Sequence, residues 1–323
     1  MQQIDGRAIA AQIQQEVKEE ITRLGITPGL AVILVGENPA SHLYVSLKEK
    51  AAKEVGIYFE KHLFSGNEPE SEILERIQEL NERDDIDGII VQVPLPRGYH
   101  EDIVISQMDP KKDADGFHQV NLRALLSGEP QIFPAVALAI VALIDEAAAC
   151  IAKNQESNRK VGAPSSRLDS SDIHTSHHDL PLANRHALLL VNRTEFAAPI
   201  EYLLEEHGAL VHIILRAKEI TPDIIAQIKR ADVVVAARGR AHIIDGNMLK
   251  DGAIVIDVGT NALPDGKVVG DVDFSAEGGS ASGGDSFRNK PGFITPVPGG
   301  VGPMTVAMLL KNTLELAIRA KAV

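Results

Sequence analysis

Two residues in the N-terminal third, Tyr44 and Lys48, are of types that move protons, and they stand four positions apart in a stretch with helical periodicity. Side chains at this spacing project from the same face of a helix. A lysine held beside a phenol in a cleft has its pKa lowered by desolvation, so it can exchange protons near neutral pH. The alternative is a solvated lysine beside a half-buried tyrosine, and the pair alone does not decide between the two.

A polar amide, Gln92, interrupts the apolar run Gly88–Val93 at the end of a predicted strand. Open α/β sheets bind ligands at the carboxyl ends of their parallel strands, which makes Gln92 a candidate for a binding site. A structural, fully hydrogen-bonded glutamine is an equal alternative. Further along the chain, the segment Asp113–Phe117 (Asp-Ala-Asp-Gly-Phe) is typical of a turn and carries a candidate carboxylate, Asp115.

The segment Ile294–Thr305 has three prolines and three glycines in twelve residues. Proline fixes the backbone and glycine frees it, so such a loop can present N–H and C=O groups to a ligand at close range. A plain turn does not need this many special residues. We therefore predict a functional loop here.

Strands and helices alternate in the segments that would position these groups. Helices are predicted at Ile9–Leu24, Ser41–Val55, Glu70–Arg83, Ala135–Ala149, Pro199–His207, Pro222–Lys229 and Met304–Lys321. Strands are predicted at Leu30–Val35, from Tyr58, and at Gly88–Val93, Ala187–Val191, Leu210–Leu215, Ala231–Ala237 and Ala253–Val258. The alternation predicts an α/β protein with parallel sheets, the second of them Rossmann-like.

Two aperiodic polar segments, near 154–185 and 275–289, are predicted to be loop insertions. The histidines of the first segment, His174, His177 and His178, lack a carboxylate-rich scaffold. We therefore predict no metal site.

The composition of the 323-residue chain excludes several classes of protein. A net charge of −13 and only 4% aromatic residues argue against a nucleic-acid partner. The single cysteine, Cys150, excludes an internal disulfide framework. The apolar run Ala135–Ile144 is shorter than the roughly 20 residues that span a membrane, and the N-terminus does not resemble a signal peptide. We expect a soluble, cytoplasmic protein with no membrane partner.

Four segments, in this order, closely resemble the methylenetetrahydrofolate dehydrogenase/cyclohydrolase (FolD) family. They are ENPASHLYVSLKEKAAKEVGI from residue 37, DGIIVQVPLP from residue 87, DPKKDADGFH from residue 109 and ITPVPGGVGPMTVAML from residue 294. The resemblance extends from about residue 4 to residue 318, interrupted by the two polar insertions.

The resemblance implies a role for each candidate residue. Lys48 matches the family's catalytic lysine, Tyr44 the tyrosine that supports it, and Gln92 the glutamine that positions it. Asp115 matches the aspartate that holds the pterin ring of the folate. The residues that would line the folate site are Val91, Val93, Pro298, Gly299, Gly300, Val301, Gly302 and Pro303.

The second half departs from the family pattern at the cofactor loop. Relatives carry a glycine-containing G-R-S-x-x-V-G-x-P loop, whereas the segment Asn192–Pro199 is one residue shorter and has neither glycine. Arg193 keeps the family's arginine, and Arg193 with Arg216 would clamp a 2′-phosphate, which favours NADP over NAD. Two ordinary surface arginines are the alternative. The remaining candidate contacts are Asn192, Thr194, Gly239 and Thr260.

The resemblance implies two lobes with the active-site cleft between them. Residues 1–120 and 304–323 would form the N-terminal α/β catalytic and folate-binding lobe, and residues 121–303 the Rossmann-like NADP-binding lobe. The implied activities are NADP-dependent oxidation of 5,10-methylenetetrahydrofolate and hydrolysis of the 5,10-methenyl product to 10-formyltetrahydrofolate, by a homodimer. The alternatives are a monofunctional cyclohydrolase with a decayed NADP site and a non-catalytic folate-binding protein.

Overall fold

The computed structural model describes residues 1–160, 181–275 and 285–321. Its strands are β1 (Gln2–Gln3), β2 (Gly29–Val35), β3 (Tyr58–Phe64), β4 (Gly88–Val91), β5 (His186–Val191), β6 (Leu210–Leu215), β7 (Val233–Ala237), β8 (Ile254–Asp257), β9 (Asn261–Ala262), β10 (Val268–Val269) and β11 (Phe293–Ile294). Its α-helices are α1 (Gly6–Leu24), α2 (Pro39–Val55), α3 (Glu70–Asn81), α4 (Glu101–Ser106), α5 (Gln119–Leu126), α6 (Ala135–Lys160), α7 (Thr194–Glu206), α8 (Pro222–Ile228) and α9 (Val301–Lys321).

The chain divides into two compact units. The first, which we call the lysine unit because it contains Lys48, consists of residues 7–139 and 303–323. The second, which we call the nucleotide unit, consists of residues 1–6 and 140–302. Residues 121–139, placed in the Rossmann-like lobe from the sequence, therefore cluster with the lysine unit, and residues 1–6 cluster with the nucleotide unit.

The lysine unit contains a three-stranded parallel sheet with the order β3-β2-β4. Every residue of the central strand β2 is buried, which explains why its sequence is a continuous apolar run. Ile73, Ile77 and Leu80 of α3 pack against this sheet and are at most 1% exposed.

The nucleotide unit contains a six-stranded sheet with the order β1-β11-β8-β7-β5-β6, and every pairing in it is parallel. The strand order reverses direction next to β5, because β6 lies on one side of it and β7 on the other. Such a switch point opens a crevice at the carboxyl ends of the strands. The predicted parallel α/β class is confirmed.

Several boundaries differ from the sequence prediction because local pattern does not encode tertiary contact. The helix α6 continues to Lys160, so the first part of the predicted insertion 154–185 is helical. Phe287, in the predicted surface loop 275–289, is fully buried and stacks edge-on against Phe274 at 5.3 Å. Residues 161–180, with the three histidines, and residues 276–284 lie outside the described residues.

One described helical segment, Ala135–Lys153, is long and apolar enough to cross a membrane by length and composition, which the shorter apolar run did not indicate. Its side chains Ala137, Leu143 and Ile144 are at most 1% exposed. Burial of this kind is typical of a core helix in a folded domain.

Candidate active site

Lys48 lies on the buried face of α2. The helix begins after Asn38, whose side chain accepts hydrogen bonds from the backbone N–H groups of Ala40 and Ser41, and it has proline at its first position. Val45, Lys48 and Val55 then fall on one stripe at helical spacing, and all three are buried. The helix period therefore places a lysine where a core residue would stand, and only 9% of it is exposed.

The Nζ of Lys48 donates a hydrogen bond of 2.9 Å to Oε1 of Gln92. Because a lysine has only donors, Gln92 must present its oxygen, and its Nε2 donates in turn to the Val93 carbonyl at 2.8 Å. The backbone N–H of Gln92 bonds to the Ile33 carbonyl at 2.8 Å. Gln92 thus follows β4, which ends at Val91, instead of lying inside the strand as predicted.

The pKa of Lys48 is lowered because burial disfavours its charged form. The negative charge of Asp115 opposes this effect and raises the pKa, without a direct ion pair between the two side chains. Tyr44 stands one turn earlier on α2, is half-buried, and forms no hydrogen bond with Lys48. The environment therefore favours a lysine that can exist as a neutral amine.

The Asp115 loop is built around a second carboxylate, Asp113, which is 1% exposed. Asp113 accepts hydrogen bonds from the backbone N–H groups of Gly116 (2.9 Å) and His118 (2.8 Å) and from the Asn121 side chain (2.9 Å). Gly116 has φ +81°, and a Cβ there would lie 2.6 Å from the backbone nitrogen of Pro134. The turn therefore requires glycine, and it leaves Asp115 as the carboxylate available to a ligand.

Asn312 of α9 holds the same loop through two hydrogen bonds. Its Nδ2 donates to the carbonyls of Ala114 (3.0 Å) and Phe133 (2.9 Å), and the residue is 5% exposed. The sequence analysis missed this residue, because nothing in the local pattern of α9 marks a polar residue as facing a loop near position 114.

The proline- and glycine-rich loop continues directly into α9, which begins at Val301. Gly300 is packed tightly, since a Cβ there would lie 2.6 Å from the Thr295 Cβ and 2.8 Å from the Pro296 carbonyl oxygen. A Cβ on Gly302 would meet nothing within 4 Å, and Gly302 is exposed. The exposed Gly302 and Pro298 are thus the loop's most accessible residues among those predicted to touch folate.

A pocket opens in the nucleotide unit beyond the carboxyl ends of β5, β7 and β8. Its lining consists of Asn192, Arg193, Phe196, Ala237, Gly239, Val258, Gly259 and Thr260. The predicted cofactor contacts Asn192, Arg193, Gly239 and Thr260 are therefore brought together here. Thr194 is instead the first residue of α7, and Arg216 is exposed after β6; neither lines the pocket.

Two buried aspartates, Asp257 and Asp271, shape this pocket, and the sequence analysis missed both. The Asp271 carboxylate accepts from the backbone N–H groups of Arg238 (2.5 Å), Gly239 (3.1 Å) and Arg240 (2.8 Å). Three successive amides thus form an anion-binding concavity around a carboxylate of the protein itself. An apolar strand ending in Asp, as at Ile254–Asp257, was the available signal.

Asp257 accepts from the backbone N–H groups of Gly259 (2.9 Å), Asp271 (3.0 Å) and Val272 (2.8 Å). Burial raises the pKa of Asp257 to about 7. A Cβ on Gly259 would lie 2.3 Å from Oδ1 of Asp271, so this pocket residue must be glycine. The two carboxylates therefore set the positions of the turns after β7 and β8.

The missing glycines of the cofactor loop cause no backbone strain. Within the described loop 192–199, no residue has a positive φ. The positive φ falls instead on Arg216, at +50°, whose Nε donates to the Asn192 carbonyl at 3.0 Å. The residues present thus fit a dinucleotide at the place where a Rossmann-like sheet binds one.

These features define a two-domain α/β enzyme with a Rossmann-like NAD(P)-binding domain. Residues 4–115 match the family model of the tetrahydrofolate dehydrogenase/cyclohydrolase catalytic domain, and residues 173–321 match the model of its NAD(P)-binding domain. The chain belongs to the tetrahydrofolate dehydrogenase/cyclohydrolase family.

Known relatives resemble the chain over its whole length. The bifunctional protein FolD of Geotalea daltonii is 38% identical over 319 residues, which is 98% of each chain. The crystal structure of the bifunctional FolD of Campylobacter jejuni has a TM-score of 0.79 and 33% identity and covers 99% of both chains. A Trypanosoma brucei FolD complexed with NADP and an inhibitor has the same TM-score and identity, covering 99% of this chain and 98% of its own. The predicted family, the enzyme class with its folate substrate, and an NAD(P)-binding domain are confirmed.

Proposed function

We propose that this protein oxidises 5,10-methylenetetrahydrofolate with NADP⁺ and hydrolyses the resulting 5,10-methenyl form to 10-formyltetrahydrofolate. The observation that supports this most is the buried hydrogen bond of 2.9 Å between Lys48 and Gln92. It lies in the part of the chain that matches the family's catalytic domain. A lysine with a lowered pKa at this place has a clear use only where a proton must be moved.

Hydrolysis begins when water adds to the methenyl carbon and must lose a proton. The neutral amine of Lys48 accepts that proton, which leaves a hydroxyl group on the carbon. The bond from this carbon to N5 then breaks as the hydroxyl loses its proton to become the formyl carbonyl and N5 takes up a proton, which leaves the formyl group on N10. Gln92 accepts a hydrogen bond from Nζ and so orients the amine. Tyr44, one turn away, shapes the site, and Asp115 accepts hydrogen bonds from N–H groups of the pterin ring.

The remaining predicted folate contacts fall into two groups. Val93 follows Gln92 and is 37% exposed, while Val91 is 5% exposed and supports it from within β4. The loop Pro298–Pro303 presents backbone groups to the folate through its exposed members.

The dinucleotide is held in the pocket of the nucleotide unit. When bound, NADP⁺ supplies a hydride acceptor. Asn192, Arg193 and the backbone of Gly239 contact it. Arg193 in the pocket, with the exposed Arg216 outside the pocket lining, favours the phosphorylated form. We further propose that the enzyme acts in the cytoplasm as a homodimer, in accordance with the family resemblance.

The dehydrogenase activity is tested by mixing the protein with methylenetetrahydrofolate and NADP⁺ and following NADPH. We expect NADPH to form and the methenyl product to be hydrolysed. Absence of NADPH from folded protein that still hydrolyses added methenyltetrahydrofolate would instead identify a monofunctional cyclohydrolase.

A further inference from the structure

We propose that Arg238 is a positioning residue for the dinucleotide, and that its reciprocal pair with Asn192 fixes one wall of this pocket. The inference rests on the proposed dehydrogenase activity. Arg238 follows β7 directly and is only 8% exposed, so it lies beneath the pocket residues and not on the surface.

The hydrogen bonds of Arg238 join the ends of three neighbouring strands. Its Nη1 donates to the Val191 carbonyl at 2.7 Å and to Oδ1 of Asn192 at 2.6 Å, both at the end of β5. Its Nη2 donates to the Ala217 carbonyl, after β6. Since Arg238 itself follows β7, one guanidinium fixes the spacing of the three strand ends around the switch point.

Arg238 and Asn192 each donate a hydrogen bond to the other. The Asn192 side chain accepts from Nη1 and also donates, through Nδ2, to the Arg238 carbonyl at 2.9 Å. Asn192 itself lines the pocket. A planar guanidinium and an amide, bonded to each other, therefore define this wall of the pocket.

The guanidinium of Arg238 is not paired with any described carboxylate, although the charge of Asp271 acts on it from nearby. Its guanidinium contacts only carbonyl and amide oxygens, it forms no ion pair with any described carboxylate, and its Nε is buried without a hydrogen-bond partner among the described residues. Burial and the neighbouring charge of Arg240 lower the pKa of Arg238, and the charge of Asp271 raises it in part. A buried guanidinium beside a pocket, with no ion pair and with an Nε that has no partner among the described residues, favours an anionic ligand, here the phosphates of the dinucleotide.

The experiment compares NADP⁺ binding by calorimetry to the wild-type protein and to Arg238→Met, Arg238→Lys and Arg230→Met. Arg230 is exposed and precedes β7, at the opposite end of the strand from Arg238, so its substitution controls for the loss of one positive charge. We expect Arg238→Met to weaken NADP⁺ binding at least tenfold, the effect of losing charged hydrogen bonds, and Arg230→Met to bind within twofold of wild type. Hydrolysis of methenyltetrahydrofolate, which uses no dinucleotide, should stay within twofold in all variants and reports folding.

Wild-type affinity in Arg238→Met would overturn the inference and leave the proposed function intact. If that variant does not fold, Arg238→Lys decides, because it keeps the cation and loses the planar fork: weaker NADP⁺ binding supports the positioning role, and wild-type binding refutes it. Failure of the wild-type protein to bind NADP⁺ would refute the dehydrogenase proposal together with the inference.

Discussion

The side chain of Asn312 donates a hydrogen bond of 3.0 Å to the carbonyl of Ala114, the residue before Asp115, across 198 positions of sequence. The same Nδ2 donates to the carbonyl of Phe133. The last helix of the chain thereby fixes the loop that carries the proposed pterin-binding carboxylate.

Replacing Asn312 with leucine should loosen this loop. Two buried carbonyls lose their donor, which we expect to lower the free energy of unfolding by roughly 2–3 kcal/mol and to raise the KM for folate. Chemical denaturation and steady-state kinetics measure the two effects. The neighbouring Lys311→Leu, at an exposed position, is the control and should change neither. If the Asn312→Leu variant is destabilised but its KM for folate is unchanged, the position of the Asp115 loop does not depend on this contact.

The pH dependence of hydrolysis should shift when Asp115 becomes asparagine. The carboxylate raises the pKa of Lys48 against the effect of burial, so its removal lowers that pKa further. Neutral lysine then exists at lower pH, and the ascending limb of the kcat profile should move toward lower pH while its maximum falls. Glu54→Gln, on the exposed side of α2, should leave the limb in place. Movement toward higher pH would contradict the assigned direction.

Gly300, just before α9, and Gly302, the second residue of α9, should respond differently to alanine. Gly300→Ala places a Cβ 2.6 Å from the Thr295 Cβ, so we expect a destabilisation of roughly 1–3 kcal/mol. Gly302→Ala meets no atom within 4 Å and should fold normally, yet raise the KM for folate if the loop contacts the substrate. Thermal unfolding and folate titration separate the two effects, and equal stability of both variants would refute the packing argument.

The stability of the nucleotide unit should fall between about pH 4 and pH 7 because of Asp257. Its folded pKa of about 7 lies above the unfolded value of 3.8, so the folded state binds the proton more tightly. Its contribution to stability is greatest at low pH and is lost as pH rises through 7. Asp257→Asn removes this dependence, which we expect to amount to a few kcal/mol between pH 5 and pH 8. An equal change in the free energy of unfolding between pH 5 and pH 8 for the wild type and for Asp257→Asn would contradict this prediction.

Local pattern predicted most of the fold and the centre of the candidate site. The helical period placed Lys48 on α2, and the end of an apolar run placed Gln92 where parallel strands present ligand groups. The bounds of β5 follow the apolar run closely, because a buried parallel strand has few polar positions.

What the sequence did not predict depends on partners far along the chain. The sequence predicted that α7 begins at Pro199, whereas the structure begins this helix at Thr194. Residues 194–198 were therefore not predicted to be helical. Arg238 and Asp271 follow short apolar strands and look like surface charges, and only the packed sheet shows that both are buried. Phe287 was assigned to a loop because its neighbours are polar, although it fills the core.

The most direct test of the account is the hydrolysis of 5,10-methenyltetrahydrofolate by the wild-type protein and by Lys48→Met. Methionine keeps the length and apolar stem of lysine and removes the amine, and loss of a buried cation should not lower the thermal midpoint. We expect hydrolysis by the wild type and none above the solvent rate by the variant, with NADP⁺ affinity unchanged. Hydrolysis at the wild-type rate by folded Lys48→Met would contradict it.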